Sequence, residues 1–474
     1  MNFTLTNSYQ TLPDLFYKKA TAASFPKARL LMLNKNLAEE LGFPYKDYTE
    51  EELALIFSGQ KLLPGSDPVA LAYAGFQFGH AVESLGDGRA LLLGELQGFD
   101  LQLKGSGQTP FSRRGDGLSA LGPVVREYIV SEAMFRLGVP TTRALAMVAT
   151  GEEVYRQFGM EPGGVFTRVA PSHIRVGTFQ YFYFRKDLDS TQALFDYTIN
   201  RHYPELNECK TTREKAIGLL LAFAKRQGDL IAQWTSLGFI HGVMNTDNCS
   251  LGGFTIDYGP CAFMDEFEFQ KVFSSIDERG RYSFFNQVPI IQWNVLRLAD
   301  TLLPLISSDQ DEAIKIVENE IIPLLQTFHK LRMEKLAEKL GITDYQDSDE
   351  TLVTDFLTYL ESESLDFTLS FRKLPELFHG NMNFYLQNEK LNSFLTTWKA
   401  RVRDVSHLNS INPIYIPRNH LVQKAIDLSY KGEMSFAREF MKVLSDPFTE
   451  REEFAQFSLP PKREERIERT FCGT

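Results

Sequence analysis

The run His241-Gly-Val-Met-Asn-Thr-Asp-Asn248, with Ile256-Asp-Tyr-Gly259 shortly after it, limits what this chain can fold into more than any other feature. Asn248 and Asp257 offer hard oxygen donors of the kind Mg²⁺ takes from a protein. The run follows a strongly signalled helix. Thr211-x-x-Glu214 is a capping box, and Ile217, Leu220, Leu221, Ala224, Ile231 and Trp234 then recur at helical spacing before a stop at Gly238.

Five weaker signals precede it in order. Leu85-Gly-Asp-Gly-Arg89 lets the backbone come close to a phosphate and adds a forked donor in Arg89, although Gly-Asp-Gly is equally a hairpin turn. Lys104 ends the strand-like FDLQLK, where it can reach a phosphate or simply face solvent. Ser112-Arg-Arg-Gly-Asp-Gly117 gives a second glycine turn with Asp116 and Gly117. Glu127 then falls on a helix predicted from Pro123, with an apolar stripe of Val124, Val125, Tyr128, Ile129 and Phe135 and a stop at Gly138 and Pro140. Farther on, Arg168 and Arg175 flank Pro171 and can clamp separate phosphates.

Each signal alone is as readily a surface loop, an exposed charge or a turn. Together they follow the order of a protein-kinase ATP site: glycine loop, strand lysine, helix glutamate paired to it, H-x-D-x-x-x-x-N loop, Asp-x-Gly. One departure matters. Val243 stands where a kinase carries its base, and an apolar side chain accepts no proton. Asp247, beside Asn248, is the nearest replacement.

The rest of the chain supports a mixed architecture. Short apolar runs between glycines over 71–165 predict a small sheet, FTID at 254–257 reads as a strand, and from about 290 the pattern is mostly helical. The expected fold is α+β, protein-kinase-like and two-lobed, with a β-rich N-lobe, a helical C-lobe and an extended helical C-terminal region. In numbers, 1–70 is an extension packing on the lobes, 71–165 the N-lobe, and 166–474 the C-lobe with its helical extension and a redox tail. A net charge of −11 gives no basic footprint for nucleic acid. No apolar run of about 20 residues and no signal-peptide core are seen, so no membrane partner is expected and the predicted location is the cytoplasm. A monomer is expected. Cys209, Cys249, Cys261 and Cys472 form no CxxC pair; the first three are expected as buried, reduced thiols and Cys472 as an exposed one.

At YAGFQFGHAVESLGDGRALLLGE, LQLKGSGQTPFSRRGDG, REYIVSEAMFRLGVPTTRALAMV, TRVAPSHIRVG, GFIHGVMNTDNCSLGGFTIDYGP and NPIYIPRNHLVQKAI the sequence resembles the selenoprotein O family over nearly its whole length. The resemblance implies a kinase-like fold holding ATP in a flipped orientation, and transfer of AMP to Ser, Thr or Tyr hydroxyls of proteins, itself included. It implies nucleotide contacts from Gly86, Gly88, Arg89, Lys104, Asp116, Gly117, Arg168, Arg175 and Asp257. It also implies Asp247 as proton acceptor, and Asn248 and Asp257 as ligands of Mg²⁺, or of Mn²⁺ in its place. The chain departs from the family at Phe76, where YAGHQFG is usual, at the LSALGP that follows Gly117, and at VFSSID (272–277), which lacks a cysteine. A phosphotransferase and a silent pseudokinase scaffold are the alternatives. Val243 counts against the first, and the retained Lys104, Asn248 and Asp257 against the second.

Overall fold

The computed structural model describes residues 3–157 and 159–471. Its strands are β1 (Tyr17–Lys19), β2 (Arg29–Leu33), β3 (Val69–Leu71), β4 (Gly75–Gln77), β5 (His80–Val82), β6 (Ala90–Leu96), β7 (Phe99–Lys104), β8 (Arg143–Arg156), β9 (Gly159–Ala170), and the two-residue β10 (Phe239–Ile240) and β11 (Ala262–Phe263). Seven form one sheet in the order β1-β3-β6-β7-β9-β8-β2, with every neighbouring pair antiparallel. β4 and β5 make a separate hairpin. The first 70 residues supply β1 and β2, the two edges of the sheet, and β9 continues to Ala170.

Alternation along β7 decides what each face of the sheet does. Leu101 and Leu103 point into a core shared with Leu37, Leu53 and Phe57 from the short helices that follow β2. Gln102 and Lys104 therefore point to the opposite face. In register, Arg168 of β9 lies across from Gln102, which puts its side chain on that same face.

Helix Leu121–Arg136 covers the Gln102 face and buries Val124, Val125, Tyr128 and Ile129 against Leu92, Ala144 and Phe166. The helix starts two residues ahead of Pro123. Beyond the sheet the chain is helical, built around Thr212–Ser236 packed on Gln287–Ile306, with a second core farther along around Leu357, Phe371 and Trp398. Both hydrogen bonds of the Thr211–Glu214 capping box are made. The chain is thus an α+β protein with a β-sheet amino-terminal region and a helical carboxy-terminal region.

Phe254–Asp257 is not the strand its sequence predicts. Thr255 makes one parallel bridge to Thr141 and donates its N–H to Pro140 O, after which Asp257 turns into the left-handed region at φ +66° and no ladder continues. Cys249 and Cys261 are buried and Cys209 is half-buried. Cys472 lies outside the described residues. Among the described residues no helix is long and apolar enough to cross a membrane.

Candidate active site

One cavity of about 780 Å³ opens where the sheet meets the helical region. Gly86, Gly88, Arg89, Lys104, Asp116, Gly117, Arg168, Arg175, Asp247, Asn248 and Asp257 all line it, while Glu127 stands behind Lys104. Two of the glycines are needed by the protein's own packing. At Gly86 (φ +70°) a Cβ would fall 2.3 Å from the Phe111 ring, and at Gly117 (φ +70°) 2.2 Å from the Gly107 backbone. The two turns hold their shape by these close approaches, with or without a phosphate against them.

The centre of the cavity is a cluster of charges. Lys104 Nζ lies 2.6 Å from Glu127 Oε2 and 2.5 Å from Asp257 Oδ1. Arg168 donates to Asp257 Oδ1 at 2.8 Å and to Gln102 Oε1 at 2.6 Å. Arg175 Nη1 is 3.6 Å from Asp257 Oδ2, and its guanidinium lies over the Tyr73 ring, 4.4 Å from the centroid. Burial alone would raise the Asp257 carboxyl, but Lys104, Arg168 and Arg175 outweigh it and hold it well below the usual carboxylate range. An aspartate in a left-handed conformation at such a point is local strain held by its surroundings.

The catalytic-type loop is tied down by its own polar groups. His241 stacks on Trp234 and bonds through Nε2 to Ile256 O at 2.9 Å, joining the loop to the segment that carries Asp257. Burial lowers the pKa of the imidazole. Val243 is buried, and its carbonyl accepts from Asn248 Nδ2 at 3.0 Å, which leaves the Asn248 side-chain oxygen as an acceptor. Asp247 takes an Arg175 bond on its backbone carbonyl at 2.9 Å. Its own Oδ1 is buried without a partner, and burial pushes the carboxyl up to about 6. An orphaned anionic oxygen beside two hard oxygen donors fits a hard divalent cation brought in with phosphates.

Asp116 is otherwise engaged. It pairs with Arg156 at 2.8 Å and accepts from Leu118 N at 2.9 Å. Partial burial works against ionisation there, yet Arg156 keeps the carboxyl below its usual value.

Several site residues escape sequence reasoning. Asp87, the aspartate of the first glycine turn, is itself buried, accepting from Leu71 N and Gln102 Nε2 and standing 3.9 Å from Arg175. The β4–β5 hairpin sits on the catalytic-type loop: Phe76 N donates to Thr246 Oγ1 at 2.7 Å and Phe78 N to Asn245 Oδ1 at 3.0 Å. The approach is so close that a Cβ on Gly75 would lie 2.5 Å from Asp247 Oδ1. The Phe76 ring packs edge-on against Trp293 and Phe184 and does not line the cavity.

Three cations gathered on Asp257, with the oxygens of Asp247 and Asn248 in the same cavity, make a site suited to a polyanionic ligand. The family model described as protein adenylyltransferase SelO matches residues 1–445. A protein of Rhizobium etli named protein nucleotidyltransferase YdiU is 46% identical over 492 residues, covering 100% of this chain and 97% of its own. Proteins of the same name from Agrobacterium fabrum (45% over 487 residues, 99% of each chain) and Rhodopseudomonas palustris (46% over 494 residues, 100% of each) are similarly close. The chain belongs to the protein adenylyltransferase SelO family.

Proposed function

We propose that this chain transfers AMP from ATP to Ser, Thr or Tyr hydroxyls of proteins, itself included, and releases pyrophosphate. The cavity is then the cleft of a kinase-like, two-lobed arrangement, with 71–165 and 166–474 as its lobes and 1–70 packed on them. Family membership supports AMP transfer to protein. The observation that carries the chemistry is the unpartnered Asp247 Oδ1 in a cavity where Val243 occupies the kinase-base position.

In this reading Lys104, Arg168 and Arg175, with Arg89 at the rim, hold the β and γ phosphates, and Glu127 holds Lys104 in place. The glycine turns at Gly86, Gly88 and Gly117 bring backbone close to the same phosphates, and Asp116 fixes the second turn through Arg156. The acceptor oxygen forms a bond to the α phosphorus while the bond from that phosphorus to the bridging oxygen breaks. Charge then develops on the departing pyrophosphate, where preorganised cations stabilise it most. The hydroxyl proton passes to Asp247. Mg²⁺ or Mn²⁺ held by Asn248 and Asp257 would neutralise phosphate charge and orient the α phosphate.

ATP labelled on the α or the γ phosphate tests the reading. Label from the α position should appear on protein, the enzyme included, and γ label should not. Asp257→Asn should lower that transfer by about 100-fold or more while circular dichroism stays that of the parent. Transfer of γ label alone means a phosphotransferase, and transfer of neither means a scaffold.

A further inference from the structure

Behind Phe78 and Asn245, two residues of the cavity lining that Tyr282 contacts, stands a cation that the reading on ATP leaves unused. Arg281 packs against the turn of the β4–β5 hairpin, its guanidinium carbon 3.6 Å from the place a Cβ on Gly79 would occupy. The guanidinium lies over two aromatic faces, 5.0 Å from the Trp293 centroid and 5.7 Å from that of Tyr282. Asp277 accepts the backbone N–H groups of Arg281 and Tyr282, which fixes where the pair sits. Tyr282 OH in turn donates to Asn245 Oδ1 at 2.5 Å, and Asn245 is two residues before Asp247. Through these contacts Arg281 is anchored beside the loop that holds the unpartnered Asp247 oxygen.

What Arg281 lacks is an anion. Among the described residues no carboxylate is within ion-pairing distance of it, and its Nε is buried without a hydrogen-bond partner. The neighbouring Arg297, on the same Trp293 ring at 5.3 Å, has Asp300 at 3.1 Å. A half-buried guanidinium stacked on aromatics, held in position and left unpaired in a chain of net charge −11, has its forked donors ready for a carboxylate from elsewhere. Ile276, which lines the cavity and is 56% exposed, supplies an apolar surface for an incoming segment.

Building on the adenylyl-transfer reading, we infer that Arg281 is a specificity-determining residue for the protein acceptor, and that it recognises an acidic side chain close to the modified hydroxyl. The acceptor class is then an Asp- or Glu-flanked Ser, Thr or Tyr segment. Arg281 is not among the residues that line the cavity, so its effect should lie in acceptor binding and not in the use of ATP.

The test uses the full chain, α-labelled ATP and three synthetic peptides with one threonine flanked by glutamates, glutamines or lysines. The parent should label the glutamate peptide with kcat/KM about 10-fold or more above the glutamine peptide, the difference lying in KM, and the lysine peptide least. Arg281→Gln should erase the preference while leaving the KM for ATP unchanged, and Arg281→Lys should restore part of it. Equal use of the three peptides, a preference that survives in Arg281→Gln, or no labelling of any peptide by a preparation that labels itself overturns the inference and leaves adenylyl transfer standing. Absence of α label on both peptide and enzyme sinks the underlying reading instead.

Discussion

Asp247 sits with its buried Oδ1 pressed against the backbone of β4, and the residue there is Gly75 because nothing larger fits. Replacing Gly75 with alanine would place a methyl 2.5 Å from that oxygen, well inside contact distance. Either the hairpin lifts or the carboxylate turns away, and both move the proposed proton acceptor relative to the acceptor hydroxyl. The expected result is a fall in kcat of about 10- to 100-fold, with ATP affinity held because Lys104, Arg168 and Arg175 are untouched. Steady-state α-label transfer beside a nucleotide titration checks this; parent-like kcat in Gly75→Ala would remove Asp247 from the reaction. The same contact shows why part of the site was hidden in the sequence. Lys104, Glu127, Asn248 and Asp257 belong to motifs with their own spacing and could be named from it. Asp87 and Asn245 lie inside two of those motifs, but their contacts, like that of Gly75, are approaches between segments far apart in the chain, for which a single sequence carries no local signal.

At the scale of the element, periodicity and capping chemistry were good guides. The Thr211–Glu214 box, the helix over 121–136 and the strands ending at Leu96 and Lys104 all come from local rules that the tertiary structure leaves in force. FTID failed because β-branched and aromatic residues are suited to extended backbone without ensuring a partner strand, and here Thr255 finds only Thr141. Helix Phe328–Lys339 shows another local choice overridden. Its last residue, Lys339, is buried with its ammonium 4.7 Å from the Phe371 centroid, and burial pushes the amine down to about 7. A lysine depressed when folded binds fewer protons in the native state than in the unfolded chain. Stability should therefore rise as pH goes from about 7 towards the unfolded lysine value near about 10.4, and be flat below that window. Lys339→Met should gain on the order of 1–3 kcal/mol at neutral pH and abolish the slope. Urea unfolding at pH 7 and pH 9.5 is the measurement; a variant less stable than the parent at pH 7 would mean the ammonium is well solvated or paired.

For the molecule as a whole, the proposed transfer requires the sheet region and the helical region to hold one alignment, since Lys104 comes from one and Asn248 and Asp257 from the other. Arg201, on helix Leu188–His202, is placed to fix that alignment. It pairs with Glu95 at 2.6 Å and Asp100 at 3.0 Å, on the two strands joined by the β6–β7 turn, and donates from Nε to Pro171 O at 2.8 Å, just ahead of Arg175. Glu95 also accepts from the Ser8 backbone N–H and hydroxyl, both at 2.6 Å, so the amino-terminal segment joins the same knot. Arg201→Ala would leave two largely buried carboxylates without their cation, a change that costs about 3–5 kcal/mol when a buried pair is broken from one side. Asp100 keeps its contact to His173 Nδ1 at 3.0 Å, and Glu95 its bonds from Ser8, so the loss should fall towards the lower end of that range. Because Pro171 leads directly into the segment carrying Arg175, the loosened connection should also raise the KM for ATP more than it lowers kcat. Thermal unfolding and α-label kinetics on one preparation separate the two effects. A variant with unchanged melting temperature would show that the regions are aligned by apolar packing alone, and one that is destabilised with an unchanged KM would confine Arg201 to stability.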